Sequence, residues 1–181
     1  WRRVKAFAEQ FLRVPAGKGA GKPPEFLPYE LKFLRGVFPA KGERPVQGVF
    51  VAARGAGKSF MASVIVAYWL YADERLSPQL SIIAQDLRAT NHIFGALRQM
   101  IATSPELLER TKIHADKIVT PFNNGLVQPL PADEDALQGY AGSAVVDELM
   151  AVPDSVWDAA LFSATKIPES QILAFSTPPK T

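Results

Sequence analysis

The stretch Pro45-Val46-Gln47-Gly48-Val49-Phe50-Val51-Ala52-Ala53-Arg54-Gly55-Ala56-Gly57-Lys58-Ser59-Phe60 decides how the rest of the chain is read. Residues 45–53 carry Val46, Val49, Phe50 and Val51 and predict a buried strand. A glycine-rich turn then leads into a helix predicted over residues 58–72. This order turns backbone amides and a helix N-terminus, with its positive end, toward one point. Gly55 and Gly57 permit the tight approach, Lys58 neutralises charge and the Ser59 hydroxyl can ligate Mg²⁺, which are the parts a polyphosphate needs. A glycine turn serving packing alone does not explain Lys58-Ser59. The generic pattern opens with a further glycine, where this chain has Ala52. An extended backbone there does not require one. Ala53, Arg54, Gly55, Ala56, Gly57, Lys58, Ser59 and Phe60 are therefore the candidate phosphate-binding residues. Arg54 either reaches the γ-phosphate in cis, where a charged fork would stabilise the spreading negative charge, or points to solvent.

A second copy of the tetrapeptide, Gly19-Ala20-Gly21-Lys22, has to be weighed as a rival. No strand precedes it, and Pro23-Pro24 follows where a hydroxyl and a helix should stand. Proline removes amide donors, so residues 15–25 read as a flexible basic linker. Ahead of it, residues 1–14 place Trp1, Val4, Phe7, Phe11 and Val14 at helical spacing, with Arg2, Arg3 and Lys5 elsewhere on the wheel. That amphipathic helix is either packed on the domain or a basic element facing DNA or a partner.

Beyond the loop, strands are predicted at residues 80–84, 117–120, 126–130, 144–146 and 172–175, and helices at 89–102 and 154–166. Asn123-Asn124-Gly125 suits the positive φ of a tight hairpin. Strands alternating with helices define an α/β fold with a mainly parallel central sheet flanked by helices. Ala144-Val145-Val146-Asp147-Glu148 is an apolar strand ending in two carboxylates. Ligands gather at the carboxyl ends of such strands, so Asp147 can bind Mg²⁺ together with Ser59, and Glu148 can orient or deprotonate the attacking water. The pair is a weak signal alone and a strong one beside an upstream phosphate loop. The strand 172–175 ends in Ser176-Thr177-Pro178, which either senses the γ-phosphate or serves as a cap or turn. His92 and His114 are isolated, and Asp133-Glu134-Asp135 reads as a solvated face.

The whole chain has 181 residues, 48% hydrophobic and 21% charged, which suits one domain of 26–181 with a full core. No cysteine is present, so disulfides and thiolate metal sites are excluded. The net charge of +2 permits nucleic-acid contact without demanding it. The longest apolar run, residues 64–71, is too short to span a bilayer, and the start of the chain does not read as a signal peptide. Without an initiator methionine the sequence is read as a fragment.

With these residues in place, residues 26–178 resemble the ATPase domain of the large terminase subunit, the motor that packs DNA into tailed-phage capsids. Phe26-Leu27-Pro28-Tyr29-Glu30-Leu31-Lys32-Phe33-Leu34 resembles the family's adenine-side segment, which makes Pro28, Tyr29 and Glu30 candidate nucleotide contacts. The loop from Arg54 to Ser59 resembles the family's arginine-containing phosphate loop. Ile83-Ala84-Gln85-Asp86-Leu87-Arg88-Ala89 resembles the segment after the second strand, and residues 139–148 resemble the approach to the acidic pair. Ser176-Thr177-Pro178 resembles the coupling motif. Two positions depart from the pattern: Glu30 stands where glutamine is usual, and Gln138 where many relatives carry an arginine that reaches a neighbour's ATP. Arg88, Arg98 and Arg110 are left as alternatives for that role.

The resemblance implies a P-loop NTPase of the additional-strand, catalytic-glutamate type, with Glu148, Arg54 and Lys58 catalytic and ATP and Mg²⁺ as cofactors. It implies translocation of double-stranded DNA into a procapsid, with a portal protein and a small terminase subunit as partners. It further implies a ring, usually of five, no membrane, and action in the cytoplasm of an infected bacterial host. The nuclease domain of such subunits is expected to be absent from this chain, which should hydrolyse ATP slowly as a monomer and not cut DNA. Two other readings compete. A superfamily 2 helicase-like ATPase would carry Ser-Ala-Thr after a strand, whereas Ser163-Ala164-Thr165 lies in a helical stretch. A non-hydrolysing nucleotide-binding scaffold would be expected to have lost Lys58, Ser59, Asp147 or Glu148.

Overall fold

In the computed structural model, which describes residues 1–178, the chain begins with α1 (Arg2–Phe11), α2 (Pro28–Val37), β1 (Gln47–Val51) and α3 (Lys58–Tyr71). It continues through β2 (Gln79–Ala84), α4 (Leu87–Ala102), α5 (Pro105–Leu108), β3 (Lys112–Ile113), β4 (Ile118–Thr120) and β5 (Gly125–Pro131). The last elements are β6 (Ser143–Asp147), α6 (Asp154–Thr165) and β7 (Ile172–Ser176). The last three residues of the domain expected at 26–181 lie outside the described residues.

The strands form one seven-stranded sheet in the order β1-β7-β6-β2-β5-β4-β3. The pairs from β1 through β5 are parallel, and β4 and β3 continue it antiparallel. The last strand of the chain, β7, is thus inserted between the phosphate-loop strand β1 and the acidic strand β6. Every residue of β6 and β7 is buried, as expected of parallel strands covered on both faces. The β4–β5 hairpin closes on the expected turn, with Thr120 paired to Gly125 and Asn124 at φ 54°.

One face of the sheet is covered by α3 and α4, the other by α6. The ten residues from Met61 to Leu70 are all buried, so α3 is apolar around its whole circumference and fills the space between the sheet, α1 and α4. The larger core joins Val4, Leu12, Leu34, Phe50, Trp69, Phe94, Val145 and Phe175. A smaller core under α6 joins Ile83, Val146, Ile172 and Ala174 to Val156 and Ala160. Burying each such side chain contributes roughly 1.5–3 kcal/mol, so these two clusters hold the strand ends in register.

The N-terminal helix is packed on the domain. Val4, Phe7 and Ala8 of α1 are buried, and the Phe7 ring lies 6.1 Å from that of Tyr68 in α3. Residues 12–24 close on themselves: Val14 N–H donates to Lys22 O and Gly21 N–H to Val14 O, both at 2.9 Å. A helix with no strong mark in the sequence, α2, packs Phe33 and Val37 under β1, where Gly48 leaves no room for a Cβ.

Candidate functional site

The parallel pairing of β1, β7 and β6 brings three candidate segments to one end of the sheet. Val51 pairs with Ser176, and Asp147 pairs with Phe175. Beyond the strands the alignment continues, with Ala52 N–H donating to Ser176 O at 3.1 Å and Glu148 N–H to Phe175 O at 2.7 Å. The phosphate loop, the acidic pair and Ser176-Thr177 therefore stand side by side although they are far apart in sequence.

Within the loop, Gly55 and Gly57 adopt φ 81° and 79°, a left-handed conformation that other residues rarely take. Ala56 N–H closes a turn on Ala53 O at 3.2 Å. Among the described residues, the amides of Gly57, Lys58, Ser59 and Phe60 donate to no acceptor within the chain. These are the amides at the start of α3, at the positive end of a helix buried from Met61 to Leu70. The Lys58 ammonium donates to Ala52 O and Ala53 O, each at 3.1 Å, so it folds over its own loop. Arg54 is exposed at the tip. The Ser59 side chain makes no hydrogen bond among the described residues, while its carbonyl accepts the Ser63 hydroxyl at 2.7 Å.

Asp147 is buried, and burial raises its carboxyl above the ordinary value; His92 opposes that shift, Glu148 adds to it and Lys58 opposes it. Glu148 sits at φ 51°, unusual for a residue with a side chain. Its Oε1 accepts three hydrogen bonds, from the Ser176 hydroxyl at 3.0 Å, Thr177 N–H at 2.7 Å and the Thr177 hydroxyl at 2.6 Å. Burial pushes this carboxyl up, but those donors and the Lys58 ammonium outweigh it, and it is held below the ordinary value. Glu148 is thus an ionised acceptor at neutral pH, tied to the next strand end. Pro178 is exposed just beyond.

The residues of the 28–30 segment go different ways. Pro28 is the first residue of α2. The Tyr29 hydroxyl donates to Ala56 O at 3.2 Å, and its ring lines an open cleft of about 800 Å³ along β1 with Lys32, Phe33, Ala52 and Ala53. Glu30 is buried, accepts Leu27 N–H at 2.8 Å and faces a separate cavity of about 700 Å³. That cavity is lined by Gly55, Gly57, Phe60 and Leu27 and also by Lys18, Gly19 and Lys22. Burial raises the Glu30 carboxyl, and the Leu27 amide offsets part of the rise. Only the second cavity joins the loop glycines and Phe60 to charged groups, which makes it the better receptacle for a nucleoside attached to phosphates.

Two features were not singled out from the sequence. His92, read there as isolated, lies on α4 close enough for its charge to act on Asp147. The Glu148–Thr177 contact joins two motifs treated separately. Of the arginines left as alternatives, Arg88 is exposed in the first turn of α4, at the same end of the sheet as the loop. Arg98 and Arg110 lie against the Phe94 and Phe122 rings. No cluster of three or more His, Cys, Asp or Glu that could hold a metal occurs among the described residues. A Ser hydroxyl and one Asp carboxylate are nevertheless the hard oxygen donors Mg²⁺ takes when phosphates supply the rest of its shell.

A strand-loop-helix with free amides, an acidic pair on a neighbouring strand end and a further strand between them define a phosphate-loop NTPase-like α/β domain. The family model described as terminase large subunit, ATPase domain matches residues 40–166, and the chain belongs to that family. Among solved structures, the large terminase of bacteriophage HK97 superposes with a TM-score of 0.83 at 24% identity, over 97% of this chain and 37% of that one. The ATPase domain of the Thermus phage P74-26 large terminase gives 0.67 at 22% identity, over 89% and 67%. The large terminase of a further thermophilic bacteriophage, in complex with ADP, gives 0.65 at 18% identity, over 84% and 39%. The chain thus spans well under half of the HK97 protein and of the ADP-bound one. A search of curated proteins by sequence finds no match. No helix among the described residues is long and apolar enough to cross a membrane.

Proposed function

We propose that this domain hydrolyses Mg-ATP at the loop from Ala53 to Phe60 and that, in a larger terminase subunit, hydrolysis drives translocation of double-stranded DNA into a procapsid. The observation that carries the reading is the junction of three strand ends, at which Glu148 is bonded to Ser176 and Thr177 beside the phosphate loop. The thermophilic-phage terminase crystallised with ADP and with ATP-γ-S supports nucleotide binding in this fold.

The free amides of Gly57, Lys58 and Ser59 receive phosphate oxygens, and the Lys58 ammonium leaves the Ala52 and Ala53 carbonyls for the phosphates. Ser59 and Asp147 would hold Mg²⁺, which neutralises charge on the phosphate oxygens when bound. Glu148, kept ionised by its donors, orients the attacking water and takes its proton. Arg54 swings from the exposed loop tip to the γ-phosphate and stabilises the charge that spreads during transfer. Loss of that phosphate is passed to β7 through the Glu148 bonds to Ser176 and Thr177, next to Pro178. Of the candidates at 28–30, Glu30 lines the nucleoside side of the site, Tyr29 supports the loop through Ala56 O and Pro28 starts the helix that carries both.

The partners that follow are the portal protein, the small terminase subunit and further copies in a ring of five, in the cytoplasm of an infected host. Glu148→Gln should retain Mg-ATP binding and lose about 10²–10⁴-fold in turnover. Turnover at the wild-type rate would exclude Glu148 as the base. For the motor, hydrolysis should rise when the subunits are concentrated or given portal and DNA. A rate indifferent to both would point to a self-sufficient ATPase.

A further inference from the structure

Residues 14–25 contain the second Gly-Ala-Gly-Lys copy, to which the proposed mechanism above gives no role. They line the 700 Å³ cavity together with the phosphate loop, Val14, Pro15, Lys18, Lys22 and Glu25 sharing it with Gly55, Gly57 and Phe60. The segment is not a free tether. Besides its own Val14–Lys22 pairing, it is fixed to α4 by the Gln99 side-chain amide, which donates to Pro15 O at 2.7 Å. The amides of its second half are committed: Ala20 N–H donates to Gly17 O, Gly21 N–H to Val14 O and Lys22 N–H to Gly19 O. The run Ala20 to Lys22 is therefore closed to a phosphate, and what the segment presents is a lining with two exposed lysines.

We propose that this wall is part of the nucleotide site. A nucleotide whose phosphates lie on residues 55–59 directs its nucleoside into the cavity, and the 14–25 loop closes the outer side of that chamber. Lys18 and Lys22 contribute cationic attraction to the triphosphate and donors to the ribose, while Leu27, Glu30 and Phe60 form the inner side. A chamber of this volume falls within the range that holds small organic ligands. The lining sets Lys18 and Lys22 against Glu25 and the buried Glu30, so the two ammonium groups offset the acids of the chamber and an anionic ligand meets no net repulsion there. The inference rests on the ATP-binding reading of the phosphate loop and extends it to a segment outside the matched family region, which starts at residue 40.

The test uses the 181-residue chain with two readouts. The Lys18–Gly19 bond is exposed to trypsin, whereas Lys22–Pro23 resists it because proline follows. Saturating Mg-ATP should slow cleavage after Lys18 by about tenfold or more, as expected when an open loop becomes a covered one. Inorganic phosphate alone, which reaches the amide cradle but not the chamber, should protect little. The double variant Lys18→Ala with Lys22→Ala should weaken ATP binding about 3- to 10-fold, the range for two solvent-screened charge contacts. That loss should shrink with added salt and show in KM rather than kcat. Unchanged cleavage together with wild-type affinity in the variant would overturn the wall, provided that wild type binds ATP and Lys58→Ala does not. If wild type itself fails to bind, the reading of the phosphate loop falls as well.

Discussion

The chain contains the tetrapeptide Gly-Ala-Gly-Lys twice, at residues 19–22 and 55–58, and both glycines of each copy lie in the left-handed region. The glycines adopt φ 88° and 80° in the first and 81° and 79° in the second. Ala20 and Ala56 each close a turn on the carbonyl three residues back, and beyond that point the hydrogen bonding diverges. In the first copy Gly21 and Lys22 donate their amides to Val14 O and Gly19 O, whereas in the second the amides of Gly57 and Lys58, and of Ser59 after them, have no acceptor among the described residues. The difference comes from what flanks them. A strand before and a buried helix after pull the second loop open and point its amides one way, while Pro23 and the Val14–Lys22 pairing curl the first upon itself. A phosphate loop is therefore defined less by its glycines than by the elements that prevent it from satisfying itself.

The largest effect that separates the copies is expected at their lysines. Lys58→Ala should lower ATP affinity about 100-fold or more, because it leaves bound phosphates without their nearest cation. The Lys22 replacement falls within the smaller range given above for the cavity wall. Equilibrium binding of a fluorescent ATP analogue measures both. Equal losses at the two sites would break the distinction drawn between them.

Much of this contrast was legible in sequence, because proline and helix-forming residues after a glycine turn act locally. The hairpin at Asn123-Asn124-Gly125 was legible for the same reason. The insertion of β7 between β1 and β6 was not, since sheet order depends on which apolar faces meet across the fold, and Ile172 and Ala144 carry no local mark of pairing. The helix α2 was missed because only Glu30, Leu34 and Val37 of its ten residues are fully buried, too short a stripe to stand out. The candidate site followed the same division. Lys58, Ser59 and Asp147-Glu148 were visible from their spacing, whereas the bond from Thr177 to Glu148 and the nearness of His92 to Asp147 arise only when separate strand ends align.

A smaller effect is expected at the second glycine of each copy. Gly21→Ala and Gly57→Ala both force a side chain into the left-handed region, at about 1–2 kcal/mol each. Nothing lies within 4 Å of a Cβ at Gly21, but at Gly57 it would meet the Glu30 Oε1 at 3.0 Å. Both variants should melt lower by about 2–8 °C. Only Gly57→Ala should also lose ATP affinity, by about tenfold, because the displaced amides belong to the cradle. Matched losses of affinity would mean that the contact with Glu30 has no part in shaping the loop.

The smallest effect concerns Glu30 itself, the buried acid beneath Gly57, for which the first copy has no counterpart. Burial raises its carboxyl above the ordinary 4.5, and the Leu27 amide only partly offsets this. For an acid shifted upward, both folded and unfolded chains are neutral at low pH and no cost arises. As pH rises through the interval between 4.5 and the raised value, the unfolded chain ionises first and stability declines. Above that interval the fold carries the full cost of a buried carboxylate. Glutamine keeps an oxygen for the Leu27 amide and does not titrate. Glu30→Gln should therefore melt with wild type near pH 4 and a few degrees higher at pH 7. Thermal melts at the two pH values decide the matter. A variant that melts lower at pH 7 would show that the ionised carboxylate is satisfied in the fold, so that the negative charge under Gly57 supports the open loop instead of straining it.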